Sequence, residues 1–362
     1  MRKLTNILVT GGAGFIGCNF IHFMLERNSD FSGRIINVDA LTYAGNMASL
    51  NKTEEKFGNT RYFFEKGNIC DYKLMESIFE KYEIDTVVHF AAESHVDRSI
   101  VSPGAFIETN VIGTFNLLEA AKNIWKKTDG SFDTDVLFYH ISTDEVYGSL
   151  GETGFFFEST PYDPRSPYSA SKAASDHLVT AYNHTYEFPI TLSNCSNNYG
   201  PYQFPEKFIP LMILNMLNGK ALPVYGDGKN IRDWIYVEDH NRAVWTIMQN
   251  GKNGEKYNVG GENEWENIKL LETLIDIVAK QASLDSEKIR KTITFVKDRP
   301  GHDRRYAINC SKIIQELGWE RTVSFKEGLT HTVNWYLANP QWIENIISGE
   351  YQRWVEKNYN GR

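Results

Sequence analysis

Asn6-Ile-Leu-Val-Thr10-Gly-Gly-Ala-Gly-Phe-Ile-Gly17 is the stretch on which the fold turns. A short apolar run, strand-like in length and composition, enters a glycine cluster and leaves it as a helical pattern that continues to about Arg27. The glycines read as Gly12-x-Gly14-x-x-Gly17 and, counted from Gly11, as Gly-x-x-Gly-x-x-Gly. Each glycine has a physical reason to be there, since one allows a tight turn, one lets the backbone approach a pyrophosphate, and one lets helix and strand pack closely. The helix then points its first N–H groups at the phosphates. Gly11, Gly14, Phe15, Ile16 and Gly17 are therefore candidate dinucleotide contacts.

Outward from that stretch the same grammar repeats. Strand candidates fall at Ile35 to Val38, Tyr62 to Lys66, Thr86 to Phe90, Val136 to Ile141 and Ile190 to Ser193, each followed by a helical or turn-rich segment. This alternation predicts an α/β protein with a Rossmann-type, doubly wound parallel sheet. Asp39 closes the second strand, where a carboxylate accepts hydrogen bonds from both ribose hydroxyls of adenosine and repels a 2′-phosphate. NAD is favoured over NADP. Asn68-Ile69 and Ala91-Ala92-Glu93-Ser94-His95 fall at further C-terminal strand ends, the edge where open sheets bind ligands.

With 362 residues and 41% hydrophobic content, the chain is long enough for two packed units. The expected division is an NAD-binding domain over 1–194 and a smaller, loop-rich domain over 195–362 that covers the ligand edge of the sheet, with part of 230–265 a candidate to rejoin the first. Turn clusters such as Asn197-Asn-Tyr-Gly-Pro201 and Gly226-Asp-Gly228 mark the second. A net charge of −8 speaks against nucleic acid or an anionic membrane as partner. The four cysteines, Cys18, Cys70, Cys195 and Cys310, have neither disulfide-type nor metal-type spacing, so no metal and a reduced, cytoplasmic setting are expected. The first apolar run is too short for a secretory leader, and no run reaches the length of a membrane span.

Tyr168-Ser-Ala-Ser-Lys172 places a phenol and an ammonium on one helix face. A cation there, helped by the positive nicotinamide ring, is expected to lower the phenol's pKa, so that Tyr168 takes a proton from a sugar hydroxyl as hydride leaves its carbon. Thr143-Asp144-Glu145 follows the fifth strand. Hydride transfer needs one acid–base group, so two adjacent carboxylates imply a second proton-transfer step, one acting as acid and one as base.

These segments, together with Asp39 to Asn46, Ala91 to Arg98, Ser142 to Gly148, Asn194 to Pro201, Tyr225 to Asp233 and Asp298 to His302, closely resemble the dTDP-glucose 4,6-dehydratase family of extended short-chain dehydrogenases. The likeness covers nearly the whole chain. It implies that Tyr168 deprotonates the C4 hydroxyl, that Lys172 tunes Tyr168, and that Thr143 bonds the same oxygen. Glu145 then removes the C5 proton, Asp144 protonates the departing C6 hydroxyl, and hydride returns to C6. NAD is regenerated in each turnover and retained. The resemblance adds Leu41, Thr42, Ala91, Ala92, Ser94, Thr109 and Asn198 to the NAD contacts, beside Tyr168 and Lys172.

An acidic protein must gather cations locally to hold a sugar-nucleotide pyrophosphate. Lys207, Arg232 and Arg299 are the candidates, with Asn197 and Asn267 as neutral donors and Arg232 as a two-oxygen clamp. By resemblance, Pro223 and Tyr225 stack on the base, His302 belongs to a loop closing over it, and His95, Thr143 and Phe208 complete the substrate set. The thymine preference rests on the likeness alone. Epimerases and decarboxylases share the glycine and Tyr-x-x-x-Lys motifs, but an epimerase has no use for the Asp144-Glu145 pair and a decarboxylase must bind a C6 carboxylate; a dehydratase of another nucleotide sugar, or a non-catalytic NAD-binding regulator, also stays open. Helices near Glu108 to Trp125 and Tyr168 to His184 carry apolar faces that pair across a two-fold axis in the family resembled, so a homodimer is expected. The last stretch, from about residue 323, matches none of these motifs, and its helix Trp335 to Ile347 reads as structural.

Overall fold

The computed structural model describes residues 2–298 and 301–347. Its strands are β1 (Asn6–Thr10), β2 (Arg34–Asp39), β3 (Tyr62–Lys66), β4 (Thr86–His89), β5 (Leu137–Thr143), β6 (Ile190–Cys195), β7 (Asn197–Tyr199), β8 (Leu222–Tyr225), β9 (Ile231–Tyr236), β10 (Lys256–Val259), β11 (Glu264–Glu266) and β12 (Ile293–Val296). Among the described residues the main sheet has seven strands in the order β10-β6-β5-β4-β1-β2-β3, every neighbouring pair parallel. The order reverses between β1 and β4, which opens a crevice at their C-terminal ends. β1, β4, β5 and β6 are buried along their whole length, as strands covered on both faces must be.

One face carries the helices Phe15–His22, Val237–Asn250 and Ser311–Leu317, packed through Phe20, Ile21, Val244, Ile247 and Ile313. The other carries Tyr72–Tyr82, Thr114–Trp125 and Pro167–Tyr186, packed through Ile78, Phe79, Leu117, Leu118 and Val179. A separate core joins the helices Phe208–Leu217, Asn267–Ala282 and Phe325–Ala338 with β8 and β9. The chain leaves the main sheet after Cys195, returns for the helix Val237–Asn250 and β10, and returns again for Ser311–Leu317.

Several local expectations shift. β5 runs two residues further than its apolar run, so Thr143 is its last residue, because Ser142 and Thr143 are polar yet paired with Asn194 and Cys195 of β6. The Asn197 turn cluster opens as the short strand β7, held beside β9. The helix expected over Trp335 to Ile347 is two, Phe325–Ala338 and Pro340–Ile346: Asn339 (φ −126°, ψ 52°) cannot stay helical before a proline. The second is pinned across the fold by Trp342, whose Nε1 donates to Ser49 Oγ at 2.9 Å.

Candidate active site

A cavity of about 330 Å³ lies at the C-terminal ends of the central strands. Its cofactor-side lining includes Gly11, Gly14, Phe15, Ile16, Gly17, Asp39, Thr42, Asn68, Ile69, Ala91, Ala92, Ser94, Thr109 and Asn198. Two glycines are dictated by sterics. Gly11 has φ +71°, and a Cβ there would lie 2.7 Å from the Ala91 backbone; at Gly17 it would lie 2.4 Å from the Gly11 carbonyl oxygen. The helix Phe15–His22 starts with no side-chain cap, leaving its first N–H groups for a ligand. Asp39 accepts one backbone N–H on each oxygen, Ala13 N at 2.9 Å and Leu41 N at 2.8 Å, so each retains accepting capacity. These features fit a dinucleotide. Leu41 does not line the cavity: with φ 53° its backbone turns back to bond Asp39, and that is its contribution.

Thr143, Asp144, Glu145, Tyr168 and Lys172 meet on the same cavity. The helix Pro167–Tyr186 begins with a capping box between Ser166 and Ser169 and with Pro167 in its first turn, which fixes Tyr168 at the crevice. Thr143 Oγ1 accepts from Glu145 N at 3.3 Å and faces Asp144 Oδ1 at 3.4 Å. Burial, reinforced by Glu145 and Asp233, pushes the Asp144 carboxyl well above the usual carboxylate range, against the opposing pull of Arg232. Its Oδ2 is buried without a hydrogen-bond partner among the described residues.

Lys172 and Tyr168 both reach the cavity, each with further partners. Lys172 Nζ donates to the Ile141 carbonyl at 2.8 Å and stands 3.4 Å from His140 Nε2. Burial first, then the negative charge of Glu145, raises the Tyr168 phenol well above its ordinary value, with only a hydrogen bond to Thr143 opposing. The chain's own groups thus favour the phenol, and the phenolate is left to the further positive charge expected from the nicotinamide ring.

On the substrate side, Asn197 and Lys207 line this cavity, whereas His95, Phe208, Pro223, Tyr225, Arg232, Asn267 and His302 do not. They sit beyond it, most of them engaged with other parts of the chain. His95 caps the helix Val96–Val101, and Phe208 opens Phe208–Leu217. Tyr225 on β8 donates to Asp97 Oδ2 at 3.1 Å and its ring meets His302 edge-on, while His302 Nδ1 lies 2.6 Å from Asp298. Arg232 donates to the carbonyls of Ile231 and Asp303 and stacks on the Tyr306 ring at 4.2 Å. Asn267 N donates to the Asn230 carbonyl at 3.0 Å. Arg299 lies outside the described residues.

Two side chains escaped the sequence reading. Glu206 lines the cavity although it reads as a solvated charge; it accepts from Tyr43 OH at 3.1 Å, and burial raises its carboxyl to about 7 against Lys207 and Arg98. Tyr306, under Arg232, is close enough to Glu145 to feel its charge. Only the neighbouring Lys207 and Arg304-Arg305 hinted at either.

The chain matches the sequence profile of the family described as GDP-mannose 4,6 dehydratase over residues 8–332. It is 53% identical to the dTDP-glucose 4,6-dehydratase of Shigella flexneri over 98% of this chain and 99% of that one, and 52% identical to that of Xanthomonas campestris pv. campestris over 95% and 97%. Its fold superposes on the dTDP-glucose 4,6-dehydratase of Bacillus anthracis in complex with NAD at a TM-score of 0.82, with 44% identity over 94% of this chain and 99% of that one. The Streptomyces venezuelae enzyme, bound to NAD and dTDP, gives 0.83 and 42% over 94% and 100%. The UDP-glucose 4-epimerase of Thermotoga maritima gives 0.80 at 28% identity over 93% and 100%.

Proposed function

The chain belongs to the GDP-mannose 4,6 dehydratase family, and from that premise we infer that it converts dTDP-glucose to dTDP-4-keto-6-deoxyglucose and water, with NAD as its cofactor. The observation that carries the reading is the meeting of Tyr168 and the Asp144-Glu145 pair on one cavity, with the two carboxylates unequally buried. An epimerase has no elimination for that pair to catalyse.

Bound NAD supplies the hydride acceptor for C4, the donor for C6, and a positive ring charge beside the Tyr168 phenol. That charge, with the Lys172 ammonium, favours the Tyr168 phenolate, which takes the C4 hydroxyl proton, with Thr143 bonding the same oxygen. The resulting C4 ketone acidifies the C5 proton, which Glu145 removes. Asp144, kept protonated by its burial, gives its proton to the C6 hydroxyl, which leaves as water. Glu145 returns its proton to C5 as C6 is reduced, so the product carries a new methyl group. Gly11 to Gly17 and Asp39 hold the cofactor, and Asn197, Lys207 and Arg232 hold the nucleotide, Arg232 by offering two parallel donors to the pyrophosphate. We assign the cofactor domain to 1–194 together with the returning segment of 230–265, and the rest mainly to sugar nucleotide.

Incubation with dTDP-, UDP-, CDP- and GDP-glucose, read by product mass, tests the assignment: loss of one water from dTDP-glucose alone is expected. Water loss from another nucleotide instead would overturn the thymine assignment, and no loss from any would overturn dehydration itself.

The enzyme is a homodimer in this reading. Ile100, Val101, Ile107, Ile112 and Phe115 are exposed on adjoining helical segments, and the outer face of Pro167–Tyr186 presents Ala170 and Ala181, small enough for close helix packing. Light scattering should give twice the chain mass, and a monomer would refute it. Among the described residues no helix is long and apolar enough to cross a membrane. We place the reaction in the cytoplasm, where Cys18, Cys70, Cys195 and Cys310, all unpaired, stay reduced.

A further inference from the structure

Asp176 lies one turn beyond Lys172 on the helix Pro167–Tyr186, on the same buried side, and takes no part in the chemistry above. It is 1% exposed. Its Oδ2 accepts from Ser142 Oγ at 2.8 Å, Tyr162 OH at 2.8 Å and Asn194 Nδ2 at 3.3 Å; its Oδ1 stands 3.2 Å from His140 Nε2. An interior carboxylate survives as an anion only when hydrogen-bonded and facing a positive charge. Burial works to raise its pKa, yet the neighbouring His140, the Lys172 charge and the Ser142 hydroxyl outweigh burial, and the net shift is downward.

The positive charge is Lys172, itself 4% exposed. His140, fully buried, is wedged against both, since the same Nε2 is 3.4 Å from Lys172 Nζ. Burial and the neighbouring ammonium lower the His140 pKa to about 4, so the ring is neutral and carries one proton. That proton belongs on Nε2. Ser175 Oγ, 3.3 Å from Nε2, gives its own proton to the Lys172 carbonyl and so can accept there, and Asp176 Oδ1 stands 3.2 Å away, whereas Nδ1 has no hydrogen-bond partner among the described residues. Of the other groups packed around Lys172, burial pushes the Cys195 thiol of β6 up to about 12 and depresses His89 of β4, whose ring packs on His140, so both are uncharged; burial also raises the Tyr168 phenol, which ionises for the C4 proton transfer.

We propose that Asp176, with His140 as its spacer, is the buried counter-charge that holds the Lys172 ammonium on the wall of the active site. It is a positioning pair, not a catalytic one. The same carboxylate ties the end of β5 to the helix, because Ser142 and Asn194 both bond it and Asn194 Nδ2 also reaches the Thr143 carbonyl at 3.1 Å. Lys172 and the Thr143-Asp144-Glu145 turn are thus registered by one buried anion. The inference rests on the assignment of Tyr168 and Lys172 to the C4 proton transfer.

The test is the pH profile of dTDP-glucose dehydration. Removing an anion beside an ammonium lowers the pH at which the ammonium loses its proton, so Asp176→Asn should pull the alkaline limb of kcat down by about one unit, and Asp176→Glu should restore it towards the wild-type position. Loss of turnover in Asp176→Asn with the limb unmoved would overturn the proposal. In the wild-type holoenzyme, histidine ring nitrogen NMR should report the Nε2–H form of His140; an Nδ1–H form overturns the pairing even if the variant does not fold. Lys172→Met separates the two levels. It should abolish turnover, and if it does not, the assignment of Lys172 fails rather than its partnership with Asp176.

Discussion

The cofactor end of the cleft and its nucleotide end are built by different means. At the first, backbone does the work: a glycine at φ +71° against Ala91, a glycine wedged on the Gly11 carbonyl, an uncapped helix start, and one carboxylate at the tip of β2. At the second, side chains arrive from β8, β9, the helix Asn267–Ala282 and the 301–306 segment, and Tyr225, Arg232 and His302 are already committed to hydrogen bonds within the chain. Arg232 commits donors to the carbonyls of Ile231 and Asp303, and Tyr225 to Asp97. A backbone cradle is rigid before the ligand arrives. The side-chain end must exchange internal hydrogen bonds for ligand ones, so its residues contribute to affinity more than to chemistry.

Substitutions should expose that asymmetry. The largest effect is expected where the two ends meet: Asp144→Asn combined with Glu145→Gln should slow water loss by roughly a thousandfold or more, the scale of losing both a general acid and a general base. C4 oxidation should survive, visible as reduced nicotinamide accumulating without a dehydrated product. Full dehydratase turnover in that double variant would dissolve the division of roles. A smaller effect is expected from Arg232→Ala. It should raise KM for dTDP-glucose by about tenfold to a hundredfold, the scale of charge-assisted hydrogen bonds to a pyrophosphate, while NAD content after purification stays that of the wild type. Arg232→Lys should recover part of the loss, since a point charge cannot grip two oxygens. If Arg232→Ala instead sheds NAD, the two ends are not independent and the contrast is lost.

Between these ends, Lys172 shows how a motif can be right about place and incomplete about cause. The Tyr-x-x-x-Lys spacing brings both side chains to the cavity, but the lysine bonds the Ile141 carbonyl and stands by His140, and burial dominates the phenol. Helical periodicity fixes which face a residue shares and says nothing about which atom on a neighbouring strand will claim its donor.

The sequence by itself determined the parallel sheet, the dinucleotide site and the dehydratase triplet, because these depend on local rules: glycines that sterics require, strands whose apolar runs announce full burial, and acid–base residues a few positions apart. Only the tertiary structure decided the rest. The sequence marks part of 230–265 as a candidate to rejoin the first unit, but not which strand does so: β10 joins the main sheet as a short edge strand, Lys-Tyr-Asn-Val, too brief to show a period. Glu206 enters the cavity, and Asp176 becomes the anion behind Lys172, through contacts whose partners lie tens of residues away in sequence. Burial and the partners of a charge are properties of the packed chain, and no spacing along the sequence encodes them.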